Sequence, residues 1–201
     1  VIEVILFDVG GVLVELTGVD QMMAWTGSRH SVEELWRLWL ESPTVRDFES
    51  GRIGTDPFSQ RLVEEFGLSA TPETIIASFD GWIDGPYPEV VPLLDALRGH
   101  YHLGTLSNTN ARHWPRFIDE MGMGSLFDCH FPSHETGKLK PDRECFDNVV
   151  QKLVIAADRI LFLDDNEVNV TAAREAGLRA EQVVGAIEAR VRLSEMGLLA
   201  A

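Results

Sequence analysis

Three apolar runs along the chain each end abruptly in polar residues at a turn. Val1-Ile2-Glu3-Val4-Ile5-Leu6-Phe7 runs into Asp8 and then Gly10-Gly11, and Leu103-Gly104-Thr105-Leu106 runs into Ser107-Asn108. Ile160-Leu161-Phe162-Leu163 runs into Asp164-Asp165-Asn166. Short apolar runs bounded by turn signals predict strands buried on both faces, as in a parallel sheet. Polar groups at the carboxyl ends of such strands lie where open α/β sheets bind their ligands.

Between the first run and about residue 80 the periodicity is helical. Ser31-Val32-Glu33-Glu34 has the form of a capping box, and Leu35, Trp36, Leu38, Trp39 and Leu40 follow it as a broad apolar face. Thr55-Asp56-Pro57 opens a second helix that Gly67 closes, and Thr71-Pro72-Glu73 opens a third. Residues 15–83 therefore read as a compact helical insertion, with Trp25, Trp36, Trp39 and Trp82 in its core. Gly85-Pro86-Tyr87-Pro88 reads as the return linker. Beyond it, helices are expected at 89–98, 111–121, 143–153, 167–176 and 186–196. They alternate with strands at 101–106, 126–131, 160–163 and 182–184. This alternation implies right-handed crossovers and a three-layer α/β architecture, with residues 1–14 and 84–201 forming the core.

The 201 residues suit one such core plus an insertion, and 45% hydrophobic content supplies a normal interior. A net charge of −15 argues against nucleic-acid binding. It also means that an anionic substrate needs local positive charge or a metal in the site. Cys129 and Cys145 have no metal-like spacing and read as reduced thiols of a cytoplasmic protein. No stretch approaches the roughly 20 apolar residues of a membrane span. The apolar start carries no basic leader, so no signal peptide is expected.

Asp8, Asp164 and Asp165 at one sheet edge require a counter-charge. Two carboxylates about 4 Å apart repel by about 4 kcal/mol at an effective dielectric near ~20. A cluster of oxygen donors without His or Cys selects a hard divalent ion, most plausibly Mg²⁺. Such an ion usually keeps room for a phosphate oxygen, which Ser107 and Asn108 could hydrogen-bond. In Gly137-Lys138-Leu139-Lys140-Pro141-Asp142, Lys140 is favoured over Lys138 as the fixed cation. Pro141 suits the first turn of the following helix, which leaves Lys140 in the loop before it.

With these elements in this order, the chain resembles the haloacid dehalogenase (HAD) superfamily. Asp8, Ser107, Lys140 and Asp164-Asp165 match its four motifs, and the helical block matches its small cap. The resemblance implies a Rossmann-like three-layer core with a helical cap inserted after the first strand. The run Asp164-Asp165-Asn166-Glu167-Val168-Asn169 is similar to the branch that includes sugar-1-phosphate phosphatases. The implied activity is hydrolysis of a small phosphorylated metabolite through an aspartyl phosphate on Asp8. Mg²⁺ would be held by Asp8, the Gly10 carbonyl and Asp165, with Asp164 and Asn169 nearby. Ser107, the Asn108 backbone and Gly11 would hold substrate, and Lys140 would neutralise charge. Family phosphatases usually carry a second Asp two positions after the nucleophile, where this chain has Gly10. General acid–base catalysis is worth about 10²–10⁴-fold, so a good leaving group would suffer least from that loss, and Glu15 is a candidate substitute. Two alternatives stand beside this reading: a metal-independent 2-haloacid dehalogenase, and a catalytically weakened phosphate-binding protein. No nucleic-acid or membrane partner is expected, and the chain is expected as a monomer or homodimer.

Overall fold

Strand β1 (Val4–Phe7) is buried at every position: a parallel neighbour pairs with each of its edges, and helices cover both faces of the sheet. The computed structural model describes residues 1–199. After β1 the chain makes the short strand β2 (Val14–Leu16) and enters five helices. These are α1 (Gly18–Trp25), α2 (Val32–Glu41), α3 (Pro43–Glu49), α4 (Thr55–Phe66) and α5 (Pro72–Phe79). Ser31 and Glu34 form the reciprocal capping box of α2, and Gly67 ends α4 in the left-handed region. The helices enclose a core of their own, in which the Phe58 ring stacks on Phe48 at 4.1 Å and packs against Phe79. Trp82 lies in this core and Trp25 and Trp39 pack against it, whereas Trp36 is 39% exposed on α2.

Where a return linker is expected, Ile83–Pro86 forms β3, antiparallel to β2, so a two-stranded ribbon carries the chain into and out of the helical block. Both strands are too short for period-2 alternation to stand out. The core resumes with α6 (Val90–Leu97) and β4 (His102–Ser107). The segment expected as one helix over 111–121 is a single turn, α7 (His113–Pro115), running into a π-helical stretch, Arg116–Glu120. Then come β5 (Cys129–Pro132), α8 (Ser133–Thr136), α9 (Arg143–Leu153) and β6 (Ile160–Asp164). The chain ends in α10 (Glu167–Glu175), β7 (Arg179–Gln182) and α11 (Gly185–Glu195). The last strand thus lies three residues before its expected position. It is an edge strand in which Ala180 alone is buried, so no apolar run marks it.

The five core strands are parallel in the order β5-β4-β1-β6-β7. Side chains alternate across the sheet. Ile5 and Phe7 pack with α6 and α11, while Val4 and Leu6 pack with α9 and α10. Gly104 is needed for close packing, since a Cβ there would lie 2.6 Å from Cys129 Sγ and 2.7 Å from Leu6. Among the described residues no helix is long and apolar enough to cross a membrane.

Polar contacts fasten the helical cap to the sheet. Arg112 grips Asp80 with two bonds of 2.7 and 2.6 Å, and Arg46 on α3 bonds Asp142 at 2.5 Å. His113 Nε2 donates to the Phe79 carbonyl at 2.7 Å, and its ring stacks on Phe79 at 4.2 Å. The Asn110 carbonyl oxygen accepts from the Arg112 and His113 amides, which turns its NH₂ toward His113 Nδ1 at 3.3 Å. That ring nitrogen is therefore an acceptor, and protonating it would set two donors against each other. Burial lowers the His113 pKa from 6.5 to about 4. A depressed histidine stabilises the fold above its unfolded value and loses that contribution as pH falls toward the folded value. In urea melts, the stability difference between wild type and His113→Gln is expected to narrow by up to ~3 kcal/mol between pH 7 and pH ~4. A difference that is flat with pH would contradict this account.

Candidate active site

Asp8 leaves β1 with its amide bonded to the Leu163 carbonyl at 2.8 Å, so the register with β6 places it beside Asp164. The Val9 amide donates to Asp8 Oδ1 at 2.7 Å. Lys140 Nζ lies 2.9 Å from the same oxygen and 2.6 Å from Asp164 Oδ2. Lys140 and Asp164 are 1% and 0% exposed, so this ammonium and its carboxylates form a buried ion cluster. Burial alone would depress the lysine, but the Asp164 and Asp8 charges reverse the effect and hold its pKa above the ordinary value.

Asp164 is further fixed by the Asn166 amide at 2.8 Å and by Asn169 Nδ2, 3.1 Å from each of its oxygens. One oxygen each of Asp8, Asp164 and Asp165 lie within 4.8 Å of one another. Asp165 presses against the turn after β1, where a Cβ on Gly11 would fall 2.4 Å from its Oδ2. Gly11, at φ +75°, is required there by both its conformation and the lack of space. Burial, reinforced by the Asp164 charge, raises Asp165 to about 6. Burial also raises Asp8, with Lys140 opposing the effect and Asp164 and Asp165 adding to it.

Two loops bring in the remaining groups. Ser107 ends β4 with its side chain buried, and its hydroxyl makes one long 3.4 Å contact with the Asn108 carbonyl. Asn108 is tied to Lys140 by a reciprocal pair of bonds: its NH₂ donates to the Lys140 carbonyl and its oxygen accepts from the Lys140 amide, both at 2.9 Å. The Asn108 side chain thus ties the end of β4 to the lysine loop. Pro141 follows a cis bond and precedes the Asp142 cap of α9, so it lies just outside the helix rather than in its first turn. Lys138 turns away to pair with Glu144.

Other contacts have no counterpart in the sequence pattern. Ser133, at the start of α8, holds the Thr109 amide at 2.9 Å and lies 2.5 Å from the Glu49 carbonyl at the end of α3. His134 is on α8 with a side chain only 12% exposed. Trp114 faces the sheet core and His113 the cap. These contacts join residues 24 to 84 positions apart, and no local signal carries that information. Gly10 has no acid to offer, and a Cβ there would meet Leu16 Cδ1 at 3.1 Å, so Leu16 occupies the space beside it.

The haloacid dehalogenase-like hydrolase family matches residues 2–177. The chain is 26% identical over 189 residues to D-ribitol-5-phosphate phosphatase of Bacteroides thetaiotaomicron, covering 90% of this chain and 91% of that one. It is 28% identical over 187 residues to (S)-2-haloacid dehalogenase H-109 of Pseudomonas putida, covering 88% and 83%. Among solved structures, a HAD family enzyme of Bacteroides thetaiotaomicron in complex with magnesium and inorganic phosphate superposes with a TM-score of 0.71. That alignment has 25% identity and covers 90% of this chain and 94% of the other. With a family match across most of its length and the same fold as these enzymes, the chain belongs to the haloacid dehalogenase-like hydrolases.

Proposed function

We propose that the protein is a Mg²⁺-dependent phosphatase that hydrolyses a small phosphorylated sugar or polyol through an aspartyl phosphate on Asp8. The enzyme class, phosphoric monoester hydrolase, is that of its phosphatase relatives. The observation that carries the reading is a charge count. Three clustered carboxylates face a single ammonium, Lys140, and the two uncompensated negative charges match one divalent cation.

The donor chemistry fits Mg²⁺ on two further grounds. Asn169 Oδ1 is buried and has no hydrogen-bond partner, although the same amide's NH₂ serves Asp164. A buried acceptor left without a partner calls for a cation or a water attached to one. In the turn after β1, the Val9 and Gly11 carbonyls accept backbone bonds, whereas the Gly10 carbonyl accepts none among the described residues. Asp8, Asp165 and the Gly10 carbonyl would hold the ion, with Asp164 and Asn169 behind them. Bound there, Mg²⁺ supplies positive charge to the site and to the phosphoryl oxygens.

The chain's own groups perform the positioning. Asp8 Oδ1 is restrained by Val9 and Lys140, which leaves its other oxygen, unbonded among the described residues, to meet phosphorus. The Ser107 hydroxyl and the Asn108 backbone orient the phosphoryl group. Lys140 opposes the effect of burial on the nucleophile and neutralises charge as it transfers. Water then cleaves the acyl phosphate and restores the carboxylate. The rival dehalogenase reading uses the same nucleophile but gives no purpose to the excess negative charge of Asp164 and Asp165.

Across a panel of sugar, polyol and aryl monophosphates, turnover is expected only with Mg²⁺, and Asp8→Asn is expected to abolish it. Activity on a 2-haloacid that survives EDTA would favour the dehalogenase instead. Lys140→Met would leave two buried carboxylates without their cation. In metal-free urea melts it is expected to cost about 3–5 kcal/mol, and millimolar Mg²⁺ is expected to recover part of that loss. An unchanged melt would mean that the cluster is not ionised as described.

A further inference from the structure

We propose that Glu49, on the cap helix α3, donates the proton that the leaving oxygen needs when Asp8 takes the phosphoryl group. The inference rests on the phosphatase reading above. An alkoxide is a poor leaving group, so an acid must meet it on the side of phosphorus away from Asp8. The acids beside Asp8 are already committed. Asp164 is held by Lys140, Asn169 and the Asn166 amide. Asp165 belongs to the metal cluster. Leu16 fills the space beside Gly10, and Glu15 is exposed on the ribbon.

Glu49 is the last residue of α3, whose end packs against the loops around the site. Its helix is anchored to both catalytic loops: Arg46, one turn earlier, bonds Asp142 just beyond Lys140. The Glu49 carbonyl itself meets Ser133, which also holds Thr109, two residues after Ser107. The next turn is equally close, since a Cβ on Gly51 would lie 2.4 Å from the His134 carbonyl. The partly buried Glu49 carboxyl is raised to about 7, chiefly by burial, with the Trp39 indole and the Lys140 and Arg46 charges opposing. Of the charged groups on neighbouring elements, Arg61 on α4 pairs with Asp47 and Glu65 accepts from the Thr44 amide, while His134 on α8, its pKa lowered by burial, lies 3.8 Å from its neighbour Glu135. A carboxyl half-protonated near neutrality is matched to proton transfer.

The step balances. An Asp8 oxygen forms a bond to phosphorus, and the bond from phosphorus to the leaving oxygen breaks. That oxygen keeps the electron pair and takes the Glu49 proton. In the second half, the Glu49 carboxylate accepts a proton from the water that attacks phosphorus, while the Asp8–phosphorus bond breaks to release inorganic phosphate.

Glu49→Gln should fold, because the contact to Ser133 uses the backbone. The test compares kcat/KM on phenyl phosphate and p-nitrophenyl phosphate with Mg²⁺. The two substrates have nearly the same shape and no spare hydroxyls, but nitrophenolate leaves without protonation. Loss on phenyl phosphate is expected to be about 10²-fold or more, with less than about tenfold on the nitro ester. The wild-type decline of kcat/KM on phenyl phosphate above about pH 7 should vanish in the variant. Equal losses on both esters, a persistent alkaline decline, or an effect confined to KM would overturn the assignment while leaving the phosphatase intact. A wild type inactive on every monoester would overturn the phosphatase reading and this assignment with it.

Discussion

The structure depends on one buried ammonium. Lys140 is inaccessible, and taking a charge that far from water costs several kcal/mol unless excellent partners repay it. Its partners come from adjacent strands, Asp8 after β1 and Asp164 at the end of β6. They are neighbours because Phe7 is in register with Leu163. That register is fixed by apolar side chains on both faces of the sheet, where a slip by one residue would send each set to the wrong side. The hydrophobic pattern of the strands therefore decides an electrostatic arrangement at their ends. Asn108 completes it from a third strand, holding the lysine backbone through both its amide groups.

The same logic explains which parts were legible in the sequence. Strands β1, β4 and β6 are central, buried on both faces, and appear as continuous apolar runs. Their terminal residues form the candidate site, so the acids and Ser107 could be singled out together. Edge and ribbon strands were misplaced or missed because they bury one residue in two or fewer: β7 buries only Ala180, and β2 spans three residues. The break of the 111–121 helix was hidden too, since Asn110 uses its side chain to start a short turn and π-helical backbone follows. The side-chain duties of Asn108 and Ser133 were illegible for a different reason. Each depends on a partner brought close by the fold rather than by spacing.

Cap and sheet each have their own hydrophobic cluster, and the contacts described between them are largely polar. Arg46–Asp142 and Arg112–Asp80 are partly solvated, and such pairs are typically worth about 0.2–1 kcal/mol each. Separating the two bodies would break a few bonds of this kind and the Phe79–His113 stack without opening either core. The same contacts reach the chemistry. Asp142 follows the lysine loop, Arg112 and His113 follow the Ser107 loop, and Ser133 connects α3 to Thr109. Docking of the cap and alignment of the loops around Asp8 thus share the same contacts, so a substitution that weakens one is felt by the other.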